Sequence, residues 1–162
     1  MKTVVYPGSF DPVTYGHLDI VRRSLKIFDK VIVCILENSR KVPAFSTEER
    51  KEFLKIACAS MPGVEISSYS GLLVDFLKER NADAIVKGLR AVSDFESEFQ
   101  MALANSKLYN HVETVFLPAN VEYSYLNSSV VREIASYGGK LSDFVPEEII
   151  DRIYAKLKNH KF

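Results

Sequence analysis

Cysteine is scarce in this 162-residue chain: Cys34 and Cys58 are the only two, and they form no Cys-x-x-Cys unit. Cys34 lies in an apolar strand-like run and Cys58 in a helical pattern, so both read as buried reduced thiols. Net charge is missing as well, with 21 Lys plus Arg against 21 Asp plus Glu. No field of the whole molecule therefore argues for a nucleic-acid or membrane partner, and any affinity for anions has to come from local placement. No apolar run approaches the 18 or so residues of a membrane span, and the N-terminus lacks the basic-then-apolar layout of a secretory signal. The expected compartment is the cytoplasm. Repeats, low-complexity tracts and long linkers are absent too. So are the two commonest phosphate-binding fingerprints, Gly-x-Gly-x-x-Gly and Gly-x-x-x-x-Gly-Lys-Ser/Thr, which removes the usual dinucleotide and phosphate-loop readings.

What the chain does have is enough apolar residue, 47%, for one well-buried core at a length too short for two ordinary domains. One domain over residues 1–162 is expected. Strand-like runs fall at 3–6, 30–36, 64–67, 84–87 and 112–117, and helical stretches at 16–28, 46–60, 71–80 and 92–109. A fifth helix is expected from near Asn127, ended by Gly138-Gly139, and a sixth from near Pro146, a residue suited to the first helical position. Ser46 with Glu49, and Ser93 with Glu96, have capping-box spacing. Strict alternation of strand and helix predicts an α/β, Rossmann-like fold with a five-stranded parallel sheet flanked by helices.

Residues 6–17, Tyr-Pro-Gly-Ser-Phe-Asp-Pro-Val-Thr-Tyr-Gly-His, join the first strand to the first helix. Pro7-Gly8 is expected to halt the strand, Ser9 to offer a hydroxyl and nearby amides, and Gly16-His17 to open a helix whose N–H groups and dipole attract anions. His17 adds a side-chain donor at the same end. In open parallel sheets ligands sit beyond the carboxyl ends of the strands. The unusual residues collect at those ends: 7–17, 37–41, 69–73, 87–90 and 118–129. Taken singly, each has an ordinary reading. Arg40-Lys41 fits a solvated loop, Lys87-Gly88-Leu89-Arg90 fits a surface turn, and Asn127-Ser128-Ser129 fits a helix cap. Phe95, Phe99 and Leu103 read mostly as core, and His111 and His160 carry no partner signal.

Together, four segments resemble bacterial phosphopantetheine adenylyltransferases. They are residues 6–17, 45–50 (Phe-Ser-Thr-Glu-Glu-Arg), 87–96 (Lys-Gly-Leu-Arg-Ala-Val-Ser-Asp-Phe-Glu) and 127–133 (Asn-Ser-Ser-Val-Val-Arg-Glu). The likeness runs from residue 2 to about residue 157. That family belongs to the nucleotidyltransferases marked by a His/Thr-x-Gly-His turn. The resemblance implies transfer of AMP from ATP to 4′-phosphopantetheine, giving dephospho-coenzyme A and pyrophosphate. It implies Mg²⁺ carried mainly by the ATP phosphates, coenzyme A or dephospho-coenzyme A as product or feedback ligand, and a homohexamer.

By the same resemblance His17, Lys41 and Arg90 are catalytic. Ser9, Phe10, Gly16 and His17 face ATP, as do Gly88, Arg90, Glu98 and Asn127, while Ser128 and Ser129 hold its triphosphate. Ser9, Lys41 and Lys87 would meet the acceptor's phosphate, and Gly71, Leu72, Leu73 and Asn105 its pantetheine arm. Two positions depart from the family pattern. Lys87 stands where the family has Arg, keeping a point charge but losing the two-pronged contact, and Asn127 replaces the Ser that often opens a triple-serine run. The nearest alternatives are a sister nucleotidyltransferase with another phosphorylated acceptor, such as nicotinamide mononucleotide or glycerol phosphate, and a nucleotide sensor without activity.

Overall fold

Near-continuous apolar runs form the central strands Thr3–Gly8 and Lys30–Leu36, buried on both faces, and the helices between the strands supply the cover. The computed structural model describes residues 1–38 and 40–158, with the side chains of Val92 and Ser93 outside that description. His160 therefore lies outside the described residues. In order the elements are β1 (Thr3–Gly8), α1 (Tyr15–Ser24), β2 (Lys30–Leu36), α2 (Thr47–Ala57), β3 (Val64–Tyr69) and α3 (Leu73–Glu79). There follow β4 (Ala84–Leu89), α4 (Val92–Leu108), β5 (Glu113–Pro118), a 3-10 turn (Val121–Tyr123), α5 (Ser128–Ser136) and α6 (Glu147–Leu157). The five strands form one parallel sheet in the order β3-β2-β1-β4-β5.

Side chains that alternate along each strand feed two cores. Val4, Tyr6, Val31, Val33, Ile35 and Val86 pack with α1, α2, α5 and α6, while Val5, Ile32, Cys34 and Ile85 pack with Val74, Phe76 and Leu77 of α3. Both cysteines are free and buried, and burial pushes their thiols up to about 12 for Cys34 and about 11 for Cys58.

Strand order reverses between β1 and β4, and that is where the sheet opens. β1 follows β2 over six paired positions, from Thr3 opposite Lys30 to Gly8 opposite Ile35, but it pairs with β4 only at Val4 and Val5. The carboxyl ends of the two central strands therefore diverge, leaving a crevice at the switch point. This corrects the expectation that Pro7-Gly8 halts the strand. β1 runs on through Gly8 against β2, and Pro7 is tolerated there because pairing to β4 has already ended two residues earlier.

Other boundaries shift for local reasons. α1 begins at Tyr15 with Thr14 as its cap, rather than at Gly16, and its last turn passes at Leu25 into a looser turn ending at Phe28. The Ser46–Glu49 capping box of α2 forms as expected, with Glu49 N–H donating to Ser46 Oγ at 3.2 Å and Ser46 N–H to Glu49 Oε2 at 2.7 Å. The second expected box falls on Ser93, whose side chain lies outside the described residues. α4 begins at Val92 with Ala91 as its cap, and Asp94 at its third position accepts the Arg90 N–H at 3.1 Å. Gly71 stays outside α3 at φ 139°, a conformation few other residues adopt, and Pro146 is the cap of α6 rather than its first residue.

Candidate active site

The Thr-Tyr-Gly-His end of the first loop builds its own local frame. Thr14 caps α1, with the His17 N–H directed at Thr14 Oγ1 at 3.4 Å, and His17 takes the place that Glu or Gln occupies in an ordinary capping box. The Thr14 N–H donates to His17 Nδ1 at 3.0 Å. A nitrogen that accepts from a backbone N–H carries no proton, so the neutral ring has its hydrogen on Nε2. Burial, and then the positive charges of Arg90 and Lys87, lower the imidazole to about 4. His17 is thus a neutral, oriented donor at neutral pH. Phe10 holds it from one side, its ring edge-on to the imidazole at 5.0 Å and only 2% exposed. Gly8 is required beneath that ring, since a Cβ there would sit 2.9 Å from the phenyl carbons.

Three cavities lie along the carboxyl edge of the sheet. The first, about 200 Å³, is lined by Gly8, Phe10, Gly16, His17, Gly88, Arg90, Glu98 and Asn127, among others. The second, about 470 Å³, is lined by Ser9, Asp11, Lys41, Thr47, Arg50, Ser128, Ser129 and Arg132. The third, about 360 Å³, carries Gly71, Leu72, Leu73, Lys87, Asn105, Met101 and Leu108. Pro7, Lys87 and Glu98 line both the first and the third, and Leu36 both the second and the third. The three are neighbouring sections of one groove. Every site residue expected from the sequence lines it. Lys41, however, borders the second section, whereas His17 and Arg90 border the first.

Charges in the groove are partly paired. Lys87 Nζ lies 3.3 Å from Glu98 Oε1, and Arg90 Nε donates to Asp94 Oδ2 at 3.2 Å. Glu98 thus balances the cation at position 87. In the second section the α5 N-terminus brings unpaired N–H groups at Ser128 and Ser129, while Asn127 accepts the Val130 N–H at 2.9 Å. Asn127 therefore performs the capping that a serine would perform. Gly88 lets β4 approach α1: a Cβ there would meet Ile20 at 3.0 Å. His111 lies exposed before β5, at the opposite edge of the sheet.

Four residues given no site role from the sequence organise this edge. Thr14 is the cap described above. Arg50, 4% exposed, donates to the Ser9 carbonyl at 2.9 Å and to Thr47 Oγ1 at 3.2 Å. Asp11, 6% exposed, accepts the Ala44 and Phe45 N–H groups. Arg132 donates to the Asp11 carbonyl at 2.6 Å and to Ser129 Oγ at 3.2 Å. Their signal was present, since each lies inside a segment that resembles the family, but Arg50, Asp11 and Arg132 act on backbone atoms far away in sequence, and only Thr14 acts locally.

A site with an oriented neutral imidazole, several cations, a helix N-terminus and an apolar arm can hold two phosphorylated molecules side by side. Comparison with known proteins bears on which ones. The Cytidylyltransferase-like family model matches residues 5–134. The chain is 54% identical over 158 residues to a phosphopantetheine adenylyltransferase of Caldanaerobacter subterraneus subsp. tengcongensis, covering 98% of this chain and 99% of the relative. It is 52% identical over 161 residues to one of Clostridium botulinum strain 657, covering 99% and 98%. A Vibrio parahaemolyticus structure described as a nicotinate-nucleotide adenylyltransferase superposes with a TM-score of 0.73 at 17% identity, over 94% of this chain and 99% of that one, a likeness of fold. With the fold, the Thr-x-Gly-His frame and near-full-length relatives in agreement, the chain belongs to the phosphopantetheine adenylyltransferase family within the cytidylyltransferase-like nucleotidyltransferases.

Proposed function

We propose that this chain is an enzyme that transfers the adenylyl group of ATP to 4′-phosphopantetheine, releasing pyrophosphate and forming dephospho-coenzyme A. The observation that carries this reading is the shared wall of the groove. Lys87 and Glu98 border both the section with the His17 imidazole and the apolar section with Leu72, Leu73 and Asn105. A nucleotide and a long amide-bearing acceptor would therefore meet at one boundary.

The reaction asks little covalent chemistry of the protein. A phosphate monoester has a second pKa near about 6, so the acceptor is largely a dianion at neutral pH and needs no general base. One of its oxygens forms a bond to the α-phosphorus as the bond from that phosphorus to the bridging oxygen breaks, and pyrophosphate leaves with the electron pair. The obstacle is repulsion between anions. In this reading His17 Nε2–H donates to the α-phosphate, and Arg90 and Lys87 offset charge beside it. The Ser128 and Ser129 amides take the outer phosphates, and Lys41 meets the acceptor phosphate. In this reading the nucleotide would enter as its Mg²⁺ complex. The ion's ligands would then be mainly phosphate oxygens and water, as suits a cation that dehydrates reluctantly.

Two further parts of the reading concern the whole protein. Self-association, as a hexamer by family resemblance, is supported by α4, where Phe95, Phe99, Met101, Leu103 and Leu108 are all exposed on the isolated chain and the first two stack at 5.3 Å. No described helix is long and apolar enough to cross a membrane, and with ATP as a substrate the cytoplasm is the proposed location. The test is direct: purified protein given MgATP and 4′-phosphopantetheine should release pyrophosphate and dephospho-coenzyme A in equal amounts. Turnover with nicotinamide mononucleotide or glycerol phosphate instead would replace the acceptor. ATP binding without pyrophosphate release on adding any acceptor would make the chain a sensor.

A further inference from the structure

The Asp11 carboxylate lies at the junction of three strand-end segments. It accepts the Ala44 N–H at 2.8 Å on one oxygen and the Phe45 N–H at 2.9 Å on the other, and Arg132 Nη1 stands 3.7 Å from it. These bonds cross from the β1–α1 loop to the segment that leads from β2 into α2, more than thirty residues away in sequence. Phe45 is further fixed by its buried ring, 5.2 Å from Phe53. At the other end of the same segment, the Glu37 N–H donates to the Tyr69 carbonyl at 3.0 Å, tying it to the end of β3. Between these two anchors Arg40, Lys41, Val42 and Pro43 are exposed, and the backbone bond there runs from Lys41 N–H to the Asn38 carbonyl at 3.1 Å. Lys41 is three residues from Ala44. At roughly 3.3 to 3.6 Å per extended residue, its Cα can lie no farther than about 11 Å from the Asp11 bonds.

We infer that Asp11 is a positioning residue for Lys41: by clamping the Ala44–Phe45 backbone to the first loop it fixes where the ammonium stands over the second section of the groove. This rests on the proposed role of Lys41 at the acceptor phosphate. The same carboxylate sits on the peptide that follows Phe10, the ring that supports His17, and Arg132 bridges its carbonyl to Ser129. One buried carboxylate thus sets the two cationic sections in register across the gap between Lys41 and His17. A carboxylate is needed because its two oxygens accept from two adjacent amides while its charge faces the Arg132 guanidinium at 3.7 Å. An amide side chain has one oxygen for the same donors and turns an NH₂ group toward the other.

The test is a double-mutant cycle in kcat/KM for the acceptor, read with Asp11→Asn and Lys41→Ala, alone and combined. Asp11→Asn should lower kcat/KM by about 10- to 100-fold, the scale of a misplacement near 1 Å. In the Lys41→Ala background the same change should lower it less than about threefold. Effects that multiply in the double variant would overturn the inference and reduce Asp11 to a structural residue. Normal activity in Lys41→Ala would overturn the proposed role of Lys41, and the inference with it. Should Asp11→Asn not fold, one glycine inserted between Pro43 and Ala44 leaves the Asp11 bonds intact and moves Lys41. It should cost a similar factor in the presence of Lys41 and little in its absence, and unchanged kcat/KM on insertion would overturn the inference.

Discussion

A neutral imidazole is the state that the surroundings of His17 enforce, and its consequences are measurable on that residue alone. Nδ1 accepts from the Thr14 N–H, so nitrogen-15 spectra of the free protein should show the Nε2–H tautomer down to about pH 4, where the ring titrates. The stability sign follows. A native pKa of about 4 lies below the ordinary 6.5, so the unfolded chain binds the proton more readily. The contribution to stability is complete above pH 6.5 and is lost as pH falls toward 4, amounting to roughly 3 kcal/mol over that interval. Denaturant unfolding of His17→Gln should show a flatter fall between pH 6.5 and 4.5 than the parent. If the two curves stay parallel, His17 is not the half-buried neutral group described. In catalysis, His17→Ala should lower turnover by about 10² to 10³, or about 3 to 4 kcal/mol, with ATP affinity much less affected. Steady-state kinetics giving near-normal kcat would remove His17 from the α-phosphate.

At the scale of elements, caps and register explain what could and could not be read from the chain. Strand positions and the parallel sheet were legible because β1, β2 and β4 are apolar runs bounded by turn residues. The Ser46–Glu49 cap was legible because both partners lie within one turn. At the start of α4 the Asp94 carboxylate accepts the Arg90 N–H, a bond that capping-box spacing does not report. Asn127 shows how a departure from a family pattern can be neutral, since its Oδ1 takes the Val130 N–H. Asn127→Ser should leave stability within about 0.5 kcal/mol, whereas Asn127→Ala should cost about 1 kcal/mol, both read by denaturant unfolding. An alanine as stable as the parent would show that the cap bond is dispensable. Asp11 and Arg50 escaped notice because each acts on the backbone of a distant segment, and nothing in a linear pattern reports such pairing.

Across the whole molecule, function follows from where the sheet reverses. β1 and β4 pair at only two positions and then part, and their carboxyl ends line the section of the groove that holds His17 and Arg90. That convergence of distant strand ends was foreseeable from the alternation of elements, because a parallel sheet puts all its outgoing loops on one edge. What alternation could not show is that the groove is sectioned, with Lys41 bordering one part and His17 another. The apolar face of α4 belongs to this scale too. Leu103→Glu should shift the sedimentation profile toward the monomer while leaving the far-ultraviolet spectrum unchanged, and an unchanged assembly would place the contact elsewhere.

In the proposed reaction two anions are lined up and react in one direct displacement, with the protein supplying position and charge. The stereochemical course at phosphorus reports this most directly. ATP bearing a sulfur of defined configuration on its α-phosphate should give product with that centre inverted, as a single in-line attack requires. Retention of configuration would mean an adenylyl group passed first to the protein, and would contradict the account.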